Sequence, residues 1–115
     1  MAEDTRCPVE ITVDVAGGKW KPMIIYRLFD GPRRFGELQR LAGNPSQRSL
    51  TLQLRQLEAD GIVARRVFAE VPPRVEYSLT EFGRTLAPVL VAMRDWGVAF
   101  RERAGGLAPP APALS

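Results

Sequence analysis

RRVFAEVPPRVEYSLTEFG, Arg65 to Gly83, holds two β-rich runs joined by a double proline, with arginines at its base and beside its tip. Val75, Tyr77 and Leu79 alternate with Glu76 and Ser78, the two-residue period of a strand covered on one face. Ile62 to Glu70 is the matching run upstream. Pro72 and Pro73 fall at the tip, where no ladder donor is needed and where proline discourages addition of a further strand. The spacing predicts an exposed hairpin that gives way to a helix after Thr80.

Two short helices precede this hairpin. In RRFGELQRLAG, Phe35, Leu38 and Leu41 make an apolar stripe and Gly43 supplies the stop. In NPSQRSLTLQLRQLEADG, Asn44 can serve as N-cap, with Pro45 at the first helical position and Gln47 at capping-box spacing; Ser46 is the competing cap. Leu50, Leu54 and Leu57 form the inward stripe, and Gly61 closes the helix. A helix pair joined by a tight, glycine-bearing turn reads as a helix-turn-helix, and with a hairpin after it the order is that of a winged helix. Arg65, Arg66 and Arg74 of the wing are then placed to meet phosphates beside a groove.

The outward face of the second helix follows from its period. Taking about 100° per residue from Leu50, Leu54 and Leu57 lie within about 40° of it, whereas Arg48, Thr51, Leu52 and Arg55 cluster on the opposite side. Arg48 or Arg55 can bind guanine O6 and N7 in two-pronged fashion while Leu52 touches a thymine methyl. The competing reading has both arginines on phosphates and Leu52 as an ordinary exposed leucine. Ser46 and Gln47 lie at the amino end of this helix, where free N–H groups favour a phosphate and position rather than specify. Lys19, Arg33 and Arg34 read equally as backbone contacts or as solvated helix entries.

Elsewhere, KWKPMIIYRLF sets Trp20, Met23, Ile24 and Leu28 on one helical stripe, with Pro22 tolerated in the first turn. PVEITVDVAGG stays open: Val9, Ile11, Val13 and Val15 alternate like a strand, yet Pro8 suits a helix start and Gly17 its end. From Thr80, a candidate N-cap, the apolar residues Phe82, Leu86, Val89, Leu90, Met93, Trp96 and Phe100 recur at helical spacing, and Pro88 demands a kink or break. Such a wide aromatic stripe needs covering by the core or by a second copy. Residues 1–104 are expected to form one domain, and Gly105 to Ser115, rich in Pro, Ala and Gly, a disordered tail.

Composition narrows the function. The 115 residues suffice for one modest core. Residues 1–18 carry one Arg against four acids, whereas residues 19–79 carry eleven Lys and Arg against six, so the middle is basic and favours an anionic partner. The chain has no histidine and one cysteine, Cys7, which leaves no internal disulfide, no His/Cys metal site and no expected cofactor. No glycine-rich phosphate loop or paired carboxylates suggest an enzyme. No apolar run approaches the roughly 20 residues of a membrane helix, and the start lacks signal-peptide character, so a cytoplasmic protein is expected.

CPVE, GGKWKP, GPRRFGELQRLAG, SQRSLTLQLRQLEADGIV, EVPPRVEYSLTEFG and WG, in this order, resemble the HxlR family of bacterial winged helix-turn-helix transcription regulators. The resemblance covers about residues 7 to 97, with PPRVEYSLTEFG and GGKW its most specific parts. It implies an α+β, mostly helical fold with a two-stranded wing and a C-terminal dimerisation helix carrying Leu86, Val89, Leu90, Met93, Trp96 and Phe100. It also implies a helix after Pro8, a homodimer, and double-stranded DNA with a near-palindromic operator as partner, repression being the default action. Some members use a cysteine just before a proline to sense oxidants or quinones, which would suit Cys7; the alternative is a quiet thiol. The chain departs from the family pattern at Ile11 to Val15, Pro45 and Leu52. The rival function is a winged helix that binds protein and not DNA.

Overall fold

The structure, a computed structural model, describes residues 3–105. The opening segment is helical: α1 spans Pro8–Ala16. Pro8 sits in its first turn, where a missing N–H leaves nothing unpaired. The first helical bond runs from the Ile11 N–H to the Cys7 carbonyl, at 3.1 Å. The strand-like alternation resolves into two helical pairs, with Val9 and Val13 exposed and Val15 packed against the core.

In α2, Lys21–Leu28, the buried residues include Ile24, Ile25 and Leu28. Met23, assigned to the inward stripe from its spacing, is exposed, and Ile25 takes the core position instead. Lys21 buries its stem and donates from Nζ to the Asp14 carbonyl of α1 at 3.4 Å.

Helices α3, Phe35–Leu41, and α4, Gln47–Ala59, form the helix-turn-helix. Gly43 and Asn44 both take positive φ in the turn, 99° and 58°. Asn44 is therefore part of the reversal and does not cap α4. Ser46 is the cap, its hydroxyl accepting from the Ser49 N–H at 3.0 Å. Pro45 precedes the cap instead of opening the helix; it is fully buried, and its carbonyl accepts from Gln39 Nε2 at 2.9 Å.

The wing is β2, Val63–Phe68, and β3, Arg74–Leu79, paired antiparallel with Arg65 opposite Tyr77 and Val67 opposite Val75. A third strand that local periodicity does not announce, β1 at Arg33–Arg34, pairs with the other edge of β3 and gives the order β1-β3-β2. Two residues carry no period of their own; only the tertiary ladder makes them a strand.

Thr80 caps the turn after the wing rather than a long helix. Its Oγ1 accepts from the Gly83 N–H at 2.8 Å, and its own N–H donates to the Ile62 carbonyl at 3.0 Å. Gly83 lies so close that an added Cβ would sit 2.2 Å from the Ile62 oxygen, so this crossing admits no side chain. A 3-10 turn, Gly83–Leu86, follows, and α5 runs from Ala87 to Gly105 with Pro88 in its first turn. The break demanded by Pro88 is this change of helix type. Gly105 ends α5 rather than opening the tail, whose remaining residues 106–115 lie outside the described part.

The core gathers Ala16, Ile24, Ile25, Leu28, Leu38, Leu50, Leu54, Leu57, Ile62, Val63, Leu79 and Leu90. Ser46→Ala should lower the unfolding free energy by about 1 kcal/mol in urea titrations, while Asn44→Gly, already at positive φ, should be neutral or slightly stabilising. Equal losses from both would mean that Asn44 shares the cap.

Candidate nucleic-acid interface

The three inward leucines of α4 fix which of its residues meet solvent. Gln47, Arg48, Thr51, Leu52 and Arg55 line one shallow concavity on its outer face, joining the residues that the helical period grouped. Ser46 is exposed at the amino end. Arg48 and Arg55 are exposed and have no carboxylate partner among the described residues. Leu52 stands between them as a large exposed apolar side chain. Cation, methyl-bearing apolar group and cation on one convex helix is a set able to meet phosphates, base edges or both.

The base of the wing adjoins this surface. Thr51, Leu54, Arg55 and Glu58 of α4 share a small cleft with Arg65 of β2 and Tyr77 of β3. Glu58 Oε1 lies 3.6 Å from Arg65 Nε. Burial, followed by the nearby Glu58 carboxylate, raises the Tyr77 phenol above its ordinary pKa, so it remains a neutral donor. Sequence spacing did not single out Glu58, because its partner lies on another element and no local pattern carries that contact.

The three wing arginines have different surroundings. Arg74 is clasped by Glu70 at 3.0 Å and Glu76 at 3.3 Å, and its guanidinium lies 3.9 Å from the Phe68 ring centre. Arg65 shares its charge with Glu58. Arg66 is exposed, rests 4.7 Å from the Phe68 ring centre and has no carboxylate partner among the described residues. Phe68 thus lies against both Arg66 and Arg74.

Of the helix-entry cations, Arg33 holds the fold together. It reaches Glu37 at 3.2 Å and Asp30 at 3.5 Å, and its Nε donates to the Arg27 carbonyl at 2.8 Å. Arg34 is exposed beside it, its backbone N–H donating to Glu37 Oε1 at 3.3 Å. Lys19 is exposed with its Nζ 4.8 Å from the Trp20 ring centre.

On α5 the wide stripe divides. Leu90 is buried in the core and Leu86 packs against it, so these two serve their own chain. Val89, Met93, Trp96 and Phe100 are exposed, and the Trp96 and Phe100 rings stack with centroids 5.4 Å apart. Cys7 is an exposed thiol at the N-cap of α1. Its sequence neighbour Arg6 is committed to Asp4 at 2.8 Å and to Asp14. Hydrogen bonds from Arg6 hold the Asp4 carboxyl down at about 2.

Among the described residues no helix is long and apolar enough to cross a membrane. Comparison with known proteins gives one consistent answer. The profile of the HxlR-like helix-turn-helix family matches residues 15–104. The HTH-type transcriptional regulator YybR of Bacillus subtilis (strain 168) is 58% identical over 96 residues, 84% of this chain and 77% of YybR. YdeP of the same strain, another HTH-type transcriptional regulator, is 57% identical over 97 residues, 84% of this chain and 76% of its own length. The redox regulator HypR in its oxidised form superposes with a TM-score of 0.78 at 59% identity, covering 81% of this chain and 96% of HypR. With helix-turn-helix, wing and C-terminal helix all in place, the chain belongs to the HxlR family of helix-turn-helix transcriptional regulators.

Proposed function

We propose that this regulator binds double-stranded DNA as a homodimer, lays α4 in the major groove and represses by occupying a promoter. The observation that carries this reading is the outer face of α4, where Arg48 and Arg55 flank Leu52 and make no ion pair among the described residues. Exposed arginines uncompensated on a helix with an apolar group between them suit a polyanion whose groove also presents thymine methyls. Arg55 is the base reader, since it adjoins the wing base where Arg65 and Tyr77 steady the surface. Ser46 and Gln47 set the register through phosphate contacts at the helix amino end.

The exposed α5 stripe supports the homodimer. Trp96 is 68% exposed and stacked on an exposed Phe100, a costly arrangement in water unless a second copy covers it. A two-fold dimer would read a near-palindromic operator with half-sites about one helical turn apart. Selection of bound fragments from randomised DNA tests partner and symmetry together. A two-fold motif is the expected outcome; failure to enrich any sequence, reduced or oxidised, would move the function to protein binding.

Three variants refine the reading. Arg55→Ala should weaken binding to the preferred site by about 1–3 kcal/mol and flatten the preference at one base pair, as measured by affinity across single-base variants of the operator. A uniform loss for every variant would make Arg55 a phosphate ligand. On the wing, Arg66→Ala should reduce the slope of log affinity against log salt by about 0.9, whereas Arg74→Ala, which removes a cation already neutralised, should leave that slope nearly unchanged while destabilising the hairpin. The reverse ranking would put the wing tip, and not its edge, on the DNA.

The likeness to HypR, a redox regulator described in oxidised and reduced forms, together with an exposed thiol at a helix N-cap, supports redox or electrophile sensing at Cys7. Diamide should change operator affinity of the native protein several-fold and leave Cys7→Ser unaffected. No change in the native protein, with modification of Cys7 verified by mass, would remove the sensor.

A further inference from the structure

Between α2 and α5 lies a cleft of about 530 Å³, within the range of small-molecule sites. Its walls are Pro22 and Met23 from α2 and Leu90, Met93, Gly97 and Val98 from α5, and its polar groups are three guanidiniums, Arg27, Arg94 and Arg101, and the phenol of Tyr26, which is hydrogen-bonded to Arg94. None of the lining residues is acidic. Arg94 is hydrogen-bonded to Asp95, while Arg27 and Arg101 have no carboxylate partner among the described residues. The cleft is therefore apolar in its walls and cationic at its edges.

Gly97 contributes a second observation. A glycine inside a helix costs roughly 1 kcal/mol relative to alanine, and a Cβ added here would meet nothing within 4 Å. The packing of the chain does not require a glycine at this place, and its absent side chain keeps the cleft open. Met23 and Met93 supply unbranched, adaptable walls, which suit a guest that is not a fixed part of the fold.

We propose that this cleft binds a small amphipathic organic anion, a carboxylate or sulfonate with an aliphatic or aromatic body, whose charged head meets Arg27 and Arg101. Charge and direction favour this occupant over a second copy of the chain. The polar side of the cleft, Arg94, Gly97 and Arg101, lies about 100° round α5 from the exposed Val89, Trp96 and Phe100, so the surface expected to pair with a twin meets the cleft only at its Met93 edge and not at its cations.

Arg27 gives the site a route to the helix-turn-helix. Its Nε donates at 3.2 Å to the Leu41 carbonyl, the last residue of α3, immediately before the turn into α4. An anion in the cleft competes for that guanidinium, and the bound and free states then differ in whether the end of α3 keeps its cation. This regulatory step rests on the DNA-binding reading given above; occupation of the cleft does not.

The test uses the full chain, octanoate as probe, and octan-1-ol as its uncharged counterpart, with binding followed by calorimetry in the absence of DNA. Octanoate should bind at one site per chain and octan-1-ol at least tenfold more weakly. Arg27→Gln with Arg101→Gln should weaken octanoate about tenfold or more and leave octanol unchanged. Gly97→Phe should abolish binding of both without altering self-association. Equal affinity for acid and alcohol, or octanoate binding indifferent to the arginine pair, would overturn the site. Loss of self-association in Gly97→Phe or in the arginine pair would also overturn it, by showing that a second copy fills the cleft. If Gly97→Phe fails to fold, Arg101→Gln alone, at an exposed position, carries the same comparison. On DNA, octanoate should shift operator affinity several-fold in the native protein and not in Arg27→Gln; a protein that takes octanoate but binds no DNA would refute the function and leave the site standing.

Discussion

The row Leu50, Leu54 and Leu57 is the constraint on which everything else in the molecule depends. All three are sealed in one cluster with Ile24, Ile25 and Leu28 of α2 and Leu38 of α3. Turning α4 about its axis to present another face would put these leucines in water at roughly 1.5–3 kcal/mol each, a loss comparable to the whole stability of a small domain. The helix therefore has one orientation. Everything proposed for its outer surface follows from that burial, since Arg48, Leu52 and Arg55 face outward only because the leucines cannot.

A second junction sets where the wing and α5 leave the core. Thr80 binds the Ile62 carbonyl through its backbone N–H and receives the Gly83 N–H on its hydroxyl, and Gly83 passes Ile62 too closely for any side chain. One short crossing thus ties the end of the hairpin to its beginning and launches α5. The Glu58 to Arg65 contact contributes differently. It is long and partly exposed, a class of ion pair worth a few tenths of a kcal/mol, so it orients the wing base more than it stabilises the fold.

The sequence made some of this plain and hid the rest for identifiable reasons. The leucine period of α4 and the prolines at the wing tip are local signals, and each matches the structure; the alternation of β3 foretold a strand, but as the central strand it is half-buried along Arg74 to Ser78 and not covered on one face alone. Val9 to Val15 gave no decision, because β-branched residues every second position also fall on two helical faces; Pro8 and the Cys7 to Ile11 bond settle it. Asn44 and Ser46 were both acceptable caps by type, and the positive φ of Asn44 together with the Ser49 N–H bond to the Ser46 hydroxyl separates them. The residues that local pattern could not reach are those whose partners are distant in the chain. Arg33–Arg34 becomes a strand only against β3, Glu58 is visible only beside Arg65, and Leu90 leaves the outward stripe of α5 only because the core reaches up to it. The cleft between α2 and α5 is of the same kind, since Arg94 and Arg101 share a face of α5 by their seven-residue spacing but Arg27 joins them only when the two helices pack.

Charge shows most clearly how folding turns composition into a surface. Residues 19–79 hold six acids, and five of them, Asp30, Glu37, Glu58, Glu70 and Glu76, are drawn to only three arginines, Arg33, Arg65 and Arg74. Those three brace β1, the wing base and the wing tip. The cations of the segment without a carboxylate partner among the described residues include Arg48, Arg55 and Arg66, the first two beside Leu52 on the outer face of α4 and the third against the Phe68 ring. A cation without a carboxylate keeps its full field toward solvent, and a few such cations on one side of a small domain raise the local potential enough to steer a polyanion in from a distance of about a Debye length. The same acids that look in the sequence like a counterweight to the arginines serve in the fold to decide which arginines remain available.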